Sequence, residues 1–288
     1  MMAPGPLRRL IRRSIPGSAE PISTFEAGGR IPWSSGYGEY KEAMLKRVFG
    51  DAALMQTFRT GGALPSGYGH RLDERIVEYP WVLSHLSPGD GLILDAGSTL
   101  NKAFLLDHPL LNDRRVLIYT LETDRIALNP RISYLFGDLR DMLLRDASVA
   151  SIVCISTLEH VGFTYEYRTY SRHNPWPSAE PESFLRALAE FRRVLVPGGE
   201  LLLTVPFGRA EDHGWLQQFD AAGIRRIKQG FGGTVAAEAC YRYHPEGWQV
   251  AASEECADLA YFNVHEGNGF DPDHAAAARA VVCLKLIR

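Results

Sequence analysis

The stretch ILDAGSTLN, residues 93–101, joins a short aliphatic run to a tight polar turn. A run such as Ile93-Leu94 that leads into an acid and a glycine is typical of a buried strand followed by a turn. Ligand-binding turns of this kind usually carry two or three glycines, but this one has only Gly97, and Thr99 follows two positions later. A β-branched residue is acceptable there only if the backbone keeps a negative φ.

The same pattern of strand and turn repeats through the middle of the chain. The runs are aliphatic and continuous rather than alternating, as expected for parallel strands that are covered on both faces. They lie at residues 91–98, 115–122, 131–138, 149–156 and 200–207. A helix is predicted at 181–196, where Pro197-Gly198-Gly199 ends it. This order predicts an α/β fold with a doubly wound, mostly parallel sheet.

The C-terminal part of the chain is expected to extend this sheet, and the N-terminal part is expected to form a separate segment. The C-terminal strand AVVCLKLI (280–287), together with YRYH (241–244), is predicted to form an antiparallel edge. The alanines at 275–278 are predicted to lie in a helix. Residues 1–70 are interrupted by Gly and Pro and show one helical pattern, at 39–49, which indicates an N-terminal cap or lid over a main domain at 71–288.

Composition and charge restrict the kinds of partner. A formal net charge of −3 gives no excess of positive charge for a phosphate backbone, so no nucleic acid partner is expected. The four cysteines form no CxxC pair, and neither a metal site nor a disulfide framework is indicated. No apolar run is long enough to span a bilayer, and a cytoplasmic location is expected. The basic segment PLRRLIRRSIPGS is interpreted either as a frayed terminus or as a short helix with weak membrane-surface association.

Polar residues gather where the predicted strands end. In a doubly wound sheet, ligands bind beyond the carboxyl ends of the strands, where the strand order reverses. Four of the five strand ends contain an acidic residue, so one edge of the sheet is expected to hold a polar site. These ends carry Asp95-Ala-Gly97-Ser98, Glu122, Gly137-Asp138-Leu139, Leu158-Glu159-His160 and Pro206-Phe207-Gly208.

Together with RRVLVPGGELLLTVPFG (192–208), the order of these motifs resembles that of the class I S-adenosylmethionine-dependent methyltransferases. The resemblance covers roughly residues 76–207 and implies a Rossmann-like fold, S-adenosyl-L-methionine as cofactor, and methyl transfer. The usual loop of that family is Asp-x-Gly-x-Gly. Asp95 and Gly97 match it, whereas Thr99 stands where the second glycine is typical.

The resemblance also implies roles for individual residues in binding the cofactor. Asp95, Gly97 and Ser98 would border its methionine part. Glu122 would accept hydrogen bonds from both ribose hydroxyls, with Asp124 as a nearby substitute. Asp138 would accept from the adenine amino group, and the backbone of Leu139 would meet the ring. The structural alternative for each acid is a helix N-cap or a turn residue.

Histidine and aromatic residues are the candidates for the chemistry and for the acceptor. Methyl transfer to oxygen needs alignment and removal of the hydroxyl proton, for which the imidazole of His160 is suited. Glu159 is expected either to orient that ring or to be solvated, and His160 is alternatively a structural residue. Tyr165, His213 and Trp215 are predicted to line the acceptor pocket, because aromatic residues are concentrated in their loops.

Three functions remain open from the sequence. The first is a methyltransferase acting on the hydroxyl of a small molecule or saccharide, including a sugar of a cell-surface polymer. The second is a non-catalytic binding protein that keeps a degenerate methyltransferase fold because Thr99 has cost it the cofactor. The third is an NAD-dependent enzyme that modifies sugars, although the loop lacks the Gly-x-Gly-x-x-Gly pattern of such proteins.

Overall fold

The predicted aliphatic runs form neighbouring strands in the computed structural model, which describes residues 19–123, 125–163, 180–266 and 269–288. Two short strands form a hairpin apart from the main sheet. Within the described residues the strands are β1 (Ile93–Ala96), β2 (Val116–Thr120), β3 (Ile132–Phe136), β4 (Val149–Ile155), β5 (Leu195–Pro206), β6 (Glu211–Asp212), β7 (Gln217–Gln218), β8 (Thr234–His244), β9 (Gly247–Val250) and β10 (Ala280–Ile287).

The main sheet has the strand order β3-β2-β1-β4-β5-β10-β8-β9. Strands β1 to β5 run parallel to one another, whereas β10 runs antiparallel to both β5 and β8. The chain proceeds outward from β1 to β3 and then returns to place β4 on the other side of β1. The strand order therefore reverses between β1 and β4, which is where a doubly wound fold binds its ligand.

Each face of the sheet has its own apolar core. In β1, Ile93 packs into one core and Leu94 and Ala96 into the other, because successive side chains of a strand point to opposite faces. In β5, Leu202 and Leu203 separate in the same way. Strands buried on both faces explain why the sequence shows continuous aliphatic runs rather than alternation.

Helices cover both faces. In α6, Phe184, Leu188 and Phe191 are buried at a helical spacing, and this helix packs with α7 on the face that carries Leu94. The other helices pack on the opposite face or on one another. The helices are α1 (Ala19–Ala27), α2 (Tyr37–Gly50), α3 (Ala52–Thr60), α4 (Arg75–His85), α5 (Ala103–Leu106), α6 (Phe184–Val194) and α7 (Ala221–Phe231).

The predicted Rossmann-like, mostly parallel sheet with an antiparallel edge is confirmed. The C-terminal strand β10 lies inside that edge, between β5 and β8, and β9 is the outermost strand. The helix predicted at 275–278 is wrong, since these alanines form a buried, irregular segment. The carboxylate of Asp273 accepts hydrogen bonds from Ala275 N at 3.2 Å and Arg279 Nε at 2.9 Å, which fixes a turn instead of a helix.

The N-terminal segment packs against the core rather than over the ligand edge of the sheet. Phe25, Leu45 and Phe58 share one apolar core with Trp81 of α4 and Trp248 of β9. These buried side chains pack the described part of the segment around α4, and its movement as a lid over the ligand edge stays a prediction. Residues 1–18, including the basic segment, lie outside the described residues, and no helix in the described ranges is long and apolar enough to cross a membrane.

Candidate active site

A cleft of about 610 Å³ opens at the carboxyl ends of β1 to β4. It lies where the strand order reverses, as expected for this fold. Six of the residues singled out from the sequence line it, and they come from four separate strand ends. They are Gly97, Ser98, Glu122, Asp138, Leu139 and His160.

The turn after β1 can only be made with glycine at its first position. Gly97 has a φ of +106°, and a Cβ there would lie 2.2 Å from Oγ1 of Thr157 on the neighbouring strand end. The next residue, Ser98, also has a positive φ, of +66°. Thr99 does not, so the position where a second glycine is typical has a backbone conformation that a β-branched residue accepts.

Asp95, the last but one residue of β1, stabilises this turn through hydrogen bonds and is fully buried. Its carboxylate accepts hydrogen bonds from Leu100 N at 2.9 Å and from both N and Oγ1 of Thr99 at 3.2 Å. Burial raises the pKa of Asp95 to about 7, although these hydrogen bonds act in the opposite direction. The side chain therefore shapes the loop and does not line the cleft with Gly97 and Ser98.

Glu122 lies just beyond β2 and is half-buried in the cleft wall. Its main-chain oxygen accepts a hydrogen bond from Oγ1 of Thr120 at 2.8 Å, which ties the start of the following loop to the strand. Asp124, the expected substitute for Glu122, lies outside the described residues. A half-buried carboxylate at this point can accept hydrogen bonds from a ligand that carries hydroxyl groups.

Asp138 is engaged by a neighbouring arginine. Its carboxylate accepts from Arg140 Nη2 at 2.7 Å, from Arg140 Nε at 3.0 Å and from Arg140 N at 2.8 Å. Burial opposes ionisation of Asp138, but the hydrogen bonds and charge of Arg140 outweigh it and hold the pKa below its usual value. A ligand that donates to this carboxylate would therefore have to share it with Arg140 or displace it.

Apolar side chains form a wall beside Asp138. Leu121 and Phe136 are each 53% exposed and both line the cleft, together with the buried Leu139. Large apolar side chains that are this exposed to solvent in a cleft provide a surface for a flat apolar or aromatic ligand.

His160 is held in one tautomer by a main-chain oxygen. Its Nδ1 lies 2.9 Å from the carbonyl oxygen of Trp215, and a carbonyl only accepts, so the ring donates its proton there and the neutral ring has its lone pair on Nε2. Burial lowers the pKa of His160 to about 4, and the charge of Arg75 acts in the same direction. The histidine is therefore neutral at physiological pH.

Glu159 is buried rather than solvated. Burial raises the pKa of Glu159 well above its usual value, and its Oε2 has no hydrogen-bond partner among the described residues. The group that fixes Nδ1 of His160 is the Trp215 carbonyl and not this carboxylate. A contact by which Glu159 orients the imidazole is thus not seen among the described residues.

The residues expected to line the acceptor pocket are only partly brought together. The ring of Trp215 lies 5.3 Å from that of His160, beside the cleft. His213 instead lies against Tyr261, with ring centroids 5.3 Å apart, and its Nε2 is 3.4 Å from Glu211 Oε2. Tyr165 lies outside the described residues.

Arg75 is a cleft residue that the sequence analysis missed. Its Nη1 forms an ion pair with Oε2 of Glu78 and lies 3.4 Å from Oε1 of Glu74. The other oxygen of Glu78 accepts from Ser156 Oγ and Thr204 Oγ1, both at 2.7 Å. An arginine anchored in this way presents a cation to the cleft, but it precedes β1 by a whole helix and no local motif marks it.

No family model matches the chain, and no curated protein matches its sequence. Its fold is similar to that of an S-adenosylmethionine-dependent methyltransferase from Mesorhizobium loti, with a TM-score of 0.45, 12% identity, and coverage of 73% of this chain and 98% of the other. An S-adenosylmethionine-dependent methyltransferase from Methanosarcina mazei matches with a TM-score of 0.44 and 14% identity, and the match covers 73% of this chain and 97% of the other.

A third match covers nearly the whole chain. It is a 1,6-didemethyltoxoflavin-N1-methyltransferase from Burkholderia thailandensis, solved with 1,6-didemethyltoxoflavin and S-adenosylhomocysteine bound. The TM-score is 0.43 and the identity 12%, over 96% of this chain and 92% of the other.

Proposed function

We propose that the protein is a methyltransferase that binds S-adenosyl-L-methionine in the cleft and acts on a hydroxyl of a small molecule or saccharide. The observation that carries the proposal is the meeting of Gly97, Glu122 and Asp138 in one cleft, each at the end of a different strand. Their order along the chain is the one that the motif resemblance implies. The volume of about 610 Å³ is in the range of sites that enclose a ligand of this size.

The groups in the cleft fit the parts of this cofactor. The Gly97 turn forms part of the cleft wall, Glu122 offers acceptors for hydroxyls, and Arg75 offers a cation for a carboxylate. Leu121 and Phe136 offer an apolar surface for the adenine ring. The bound cofactor would supply an activated methyl group on a sulfonium, and the protein would supply alignment and a route for the acceptor proton.

The cleft is less suited to a dinucleotide. A pyrophosphate is held by a glycine-rich turn that runs directly into the N-terminus of a helix. Here α5 has only four residues and begins at Ala103, six positions after Gly97. The degenerate, non-binding alternative is also not favoured, since Thr99 is not required to adopt the positive φ that would call for a glycine.

His160 and Trp215 support a polar acceptor. In the proposed reaction His160 takes the acceptor proton at Nε2, because Nδ1 keeps its own proton on the Trp215 carbonyl. Glu159 precedes His160 in the chain and the ring of Trp215 lies beside it, and neither Glu159 Oε2 nor Trp215 Nε1 finds a hydrogen-bond partner in the part of the chain that the structure describes. Buried polar atoms are rarely left so, and a ligand rich in hydroxyl groups is able to satisfy both kinds.

Calorimetric titration tests the proposal without knowledge of the acceptor. S-adenosylhomocysteine, which lacks only the transferred methyl group, should bind in the micromolar range, whereas NAD should give no heat of binding. Binding of NAD but not of S-adenosylhomocysteine would favour the dehydrogenase alternative. No binding of either would favour the degenerate, non-catalytic one.

A further inference from the structure

Asn101 is a buried amide at the edge of the cleft, four positions after Gly97. Its side chain is 3% exposed, and its contacts extend in two directions. The Nδ2 atom lies 2.8 Å from the main-chain oxygen of Arg125 and 3.0 Å from Oγ1 of Thr123. The Oδ1 atom accepts a hydrogen bond from the hydroxyl of Tyr134 at 3.0 Å.

These contacts join three segments that the chain brings together only by folding. Asn101 belongs to the loop after β1, Thr123 to the loop after β2, and Tyr134 to β3. The hydroxyl of Tyr134 also accepts from Ala127 N at 2.7 Å, which adds a second anchor to the β2–β3 loop. Ser98 Oγ lies 3.2 Å from Thr123 Oγ1, so the cleft-lining turn is tied to the same point.

The loop between β2 and β3 receives these hydrogen bonds and carries Glu122. Few of its own side chains are buried. No helix is found in its described residues, 121–123 and 125–131, and Leu128 within it is 99% exposed. A loop with few buried contacts opens and moves more readily than a packed element. Yet a carboxylate that accepts hydrogen bonds from two neighbouring hydroxyl groups must keep its position to within about half an ångström.

We propose that Asn101 is a positioning residue that fixes Glu122 for recognition of the ribose hydroxyls of the cofactor, an inference that rests on the proposed function. An amide suits this place because it donates to Thr123 and Arg125 and accepts from Tyr134 at the same time. An aspartate would lose the donors and add a negative charge near Glu122.

The test compares the affinity for S-adenosylhomocysteine with that for its 2′,3′-dideoxy analogue, measured by calorimetry. The ratio of the two dissociation constants reports recognition of the ribose hydroxyls alone. In the wild-type protein we expect the ratio to be about 10 or more, and in Glu122→Ala to fall to about 1. Asn101→Ala should bring the ratio to about 3 or less, mainly by weakening the binding of S-adenosylhomocysteine.

Two further variants separate positioning from general loss of structure. Thr123→Val removes one acceptor of the Asn101 amide at a half-buried loop site, and it should lower the ratio in the same direction. Asn263→Ala is the matched control, because this buried asparagine also holds a loop but bonds to Glu266 and His265 instead of cleft residues. Its ratio should stay that of the wild type.

The outcomes distinguish failure of the positioning role of Asn101 from failure of the proposed function. If Asn101→Ala and Thr123→Val weaken both ligands by the same factor and leave the ratio unchanged, the positioning role is overturned while the proposed function stands. If the wild-type protein does not bind S-adenosylhomocysteine at all, the proposed function fails and the role of Asn101 fails with it.

Discussion

At the scale of single residues, the environment of His160 decides which proton the site is able to accept. The Trp215 carbonyl holds the Nδ1 proton, and burial keeps the imidazole neutral. A base with a low pKa is fully available at neutral pH but accepts a proton with less driving force than an ordinary histidine. His160 is therefore expected to contribute through placement as much as through basicity.

This environment predicts an unusual titration. The pKa of His160 is lowered from 6.5 to about 4, mainly by burial, so the ring should stay neutral throughout the range from about pH 5 to 8. NMR titration of the ring protons, assigned with His160→Gln, measures this directly. Turnover should likewise be flat over that range, and His160→Ala should lower it by about 10²-fold. A ring pKa near 6.5 would contradict the buried, neutral imidazole.

Gly97 should be irreplaceable, since its φ is +106° and a Cβ would collide with Thr157. Gly97→Ala is expected to lower the free energy of unfolding by more than the roughly 1–2 kcal/mol that a left-handed conformation alone costs. Urea denaturation measures the difference. Gly50→Ala is the matched control, because Gly50 is helical and nothing lies within 4 Å of an added Cβ. Equal stability of the two variants would show that the turn relaxes.

At the scale of elements, α4 supplies the cleft with the cation of Arg75 and ties that side chain to the sheet through Glu78. Glu78 of α4 pairs with Arg75 on one side and accepts from Ser156 and Thr204 at the ends of β4 and β5 on the other. One buried carboxylate thus links the helix, two strand ends and the ligand edge of the sheet.

Removing the charge of Glu78 should uncouple this helix from the cleft. Glu78→Gln is expected to lower the free energy of unfolding by about 2–3 kcal/mol, less than the roughly 3–5 kcal/mol of a fully buried pair because Arg75 keeps Glu74. Glu42→Gln is the control, since the pair with Lys46 is exposed and worth less than about 1 kcal/mol. A loss for Glu78→Gln no larger than that of the control would mean that α4 is held by apolar packing alone.

The elements also show what the sequence was able to predict. Strands β1, β2, β4 and β5 were predictable because residues buried on both faces must be aliphatic throughout. Packing that depends on distant partners was not predictable. The alanines at 275–278 look helical by propensity, yet Asp273 and Arg279 fix them as an irregular segment. Arg75 and the Trp215 carbonyl have no local signature, since each reaches the cleft only through the folded arrangement.

At the scale of the whole molecule, the ligand edge of the sheet gathers buried acids. Burial raises the pKa of Asp95 to about 7 and that of Glu74 to about 7 as well. A carboxyl group whose pKa is raised on folding stabilises the protein below its unfolded pKa, near 4, and this contribution is lost as the pH rises through 7. The lowered pKa of His160 acts in the opposite direction below about pH 6.5.

The protein should therefore become less stable on the alkaline side of neutrality. The free energy of unfolding is expected to be lower at pH 8 than at pH 6.5 by about 1 kcal/mol. Asp95→Asn keeps one acceptor oxygen, for either Thr99 or Leu100, and removes the titratable group, so it should reduce this difference. Urea denaturation at the two pH values provides the measurement. A pH dependence that is unchanged in Asp95→Asn would show that the buried carboxyl does not titrate in this range.

The central claim is that the cleft at the ends of β1 to β4 binds S-adenosyl-L-methionine through Glu122. Calorimetric titration of S-adenosylhomocysteine into the wild-type protein and into Glu122→Ala tests it most directly. We expect micromolar binding that the substitution weakens by about tenfold or more, because charge-assisted hydrogen bonds to the ribose hydroxyls are worth roughly 1.5–3 kcal/mol. Binding of equal strength in both proteins, or none in the wild type, would contradict the account.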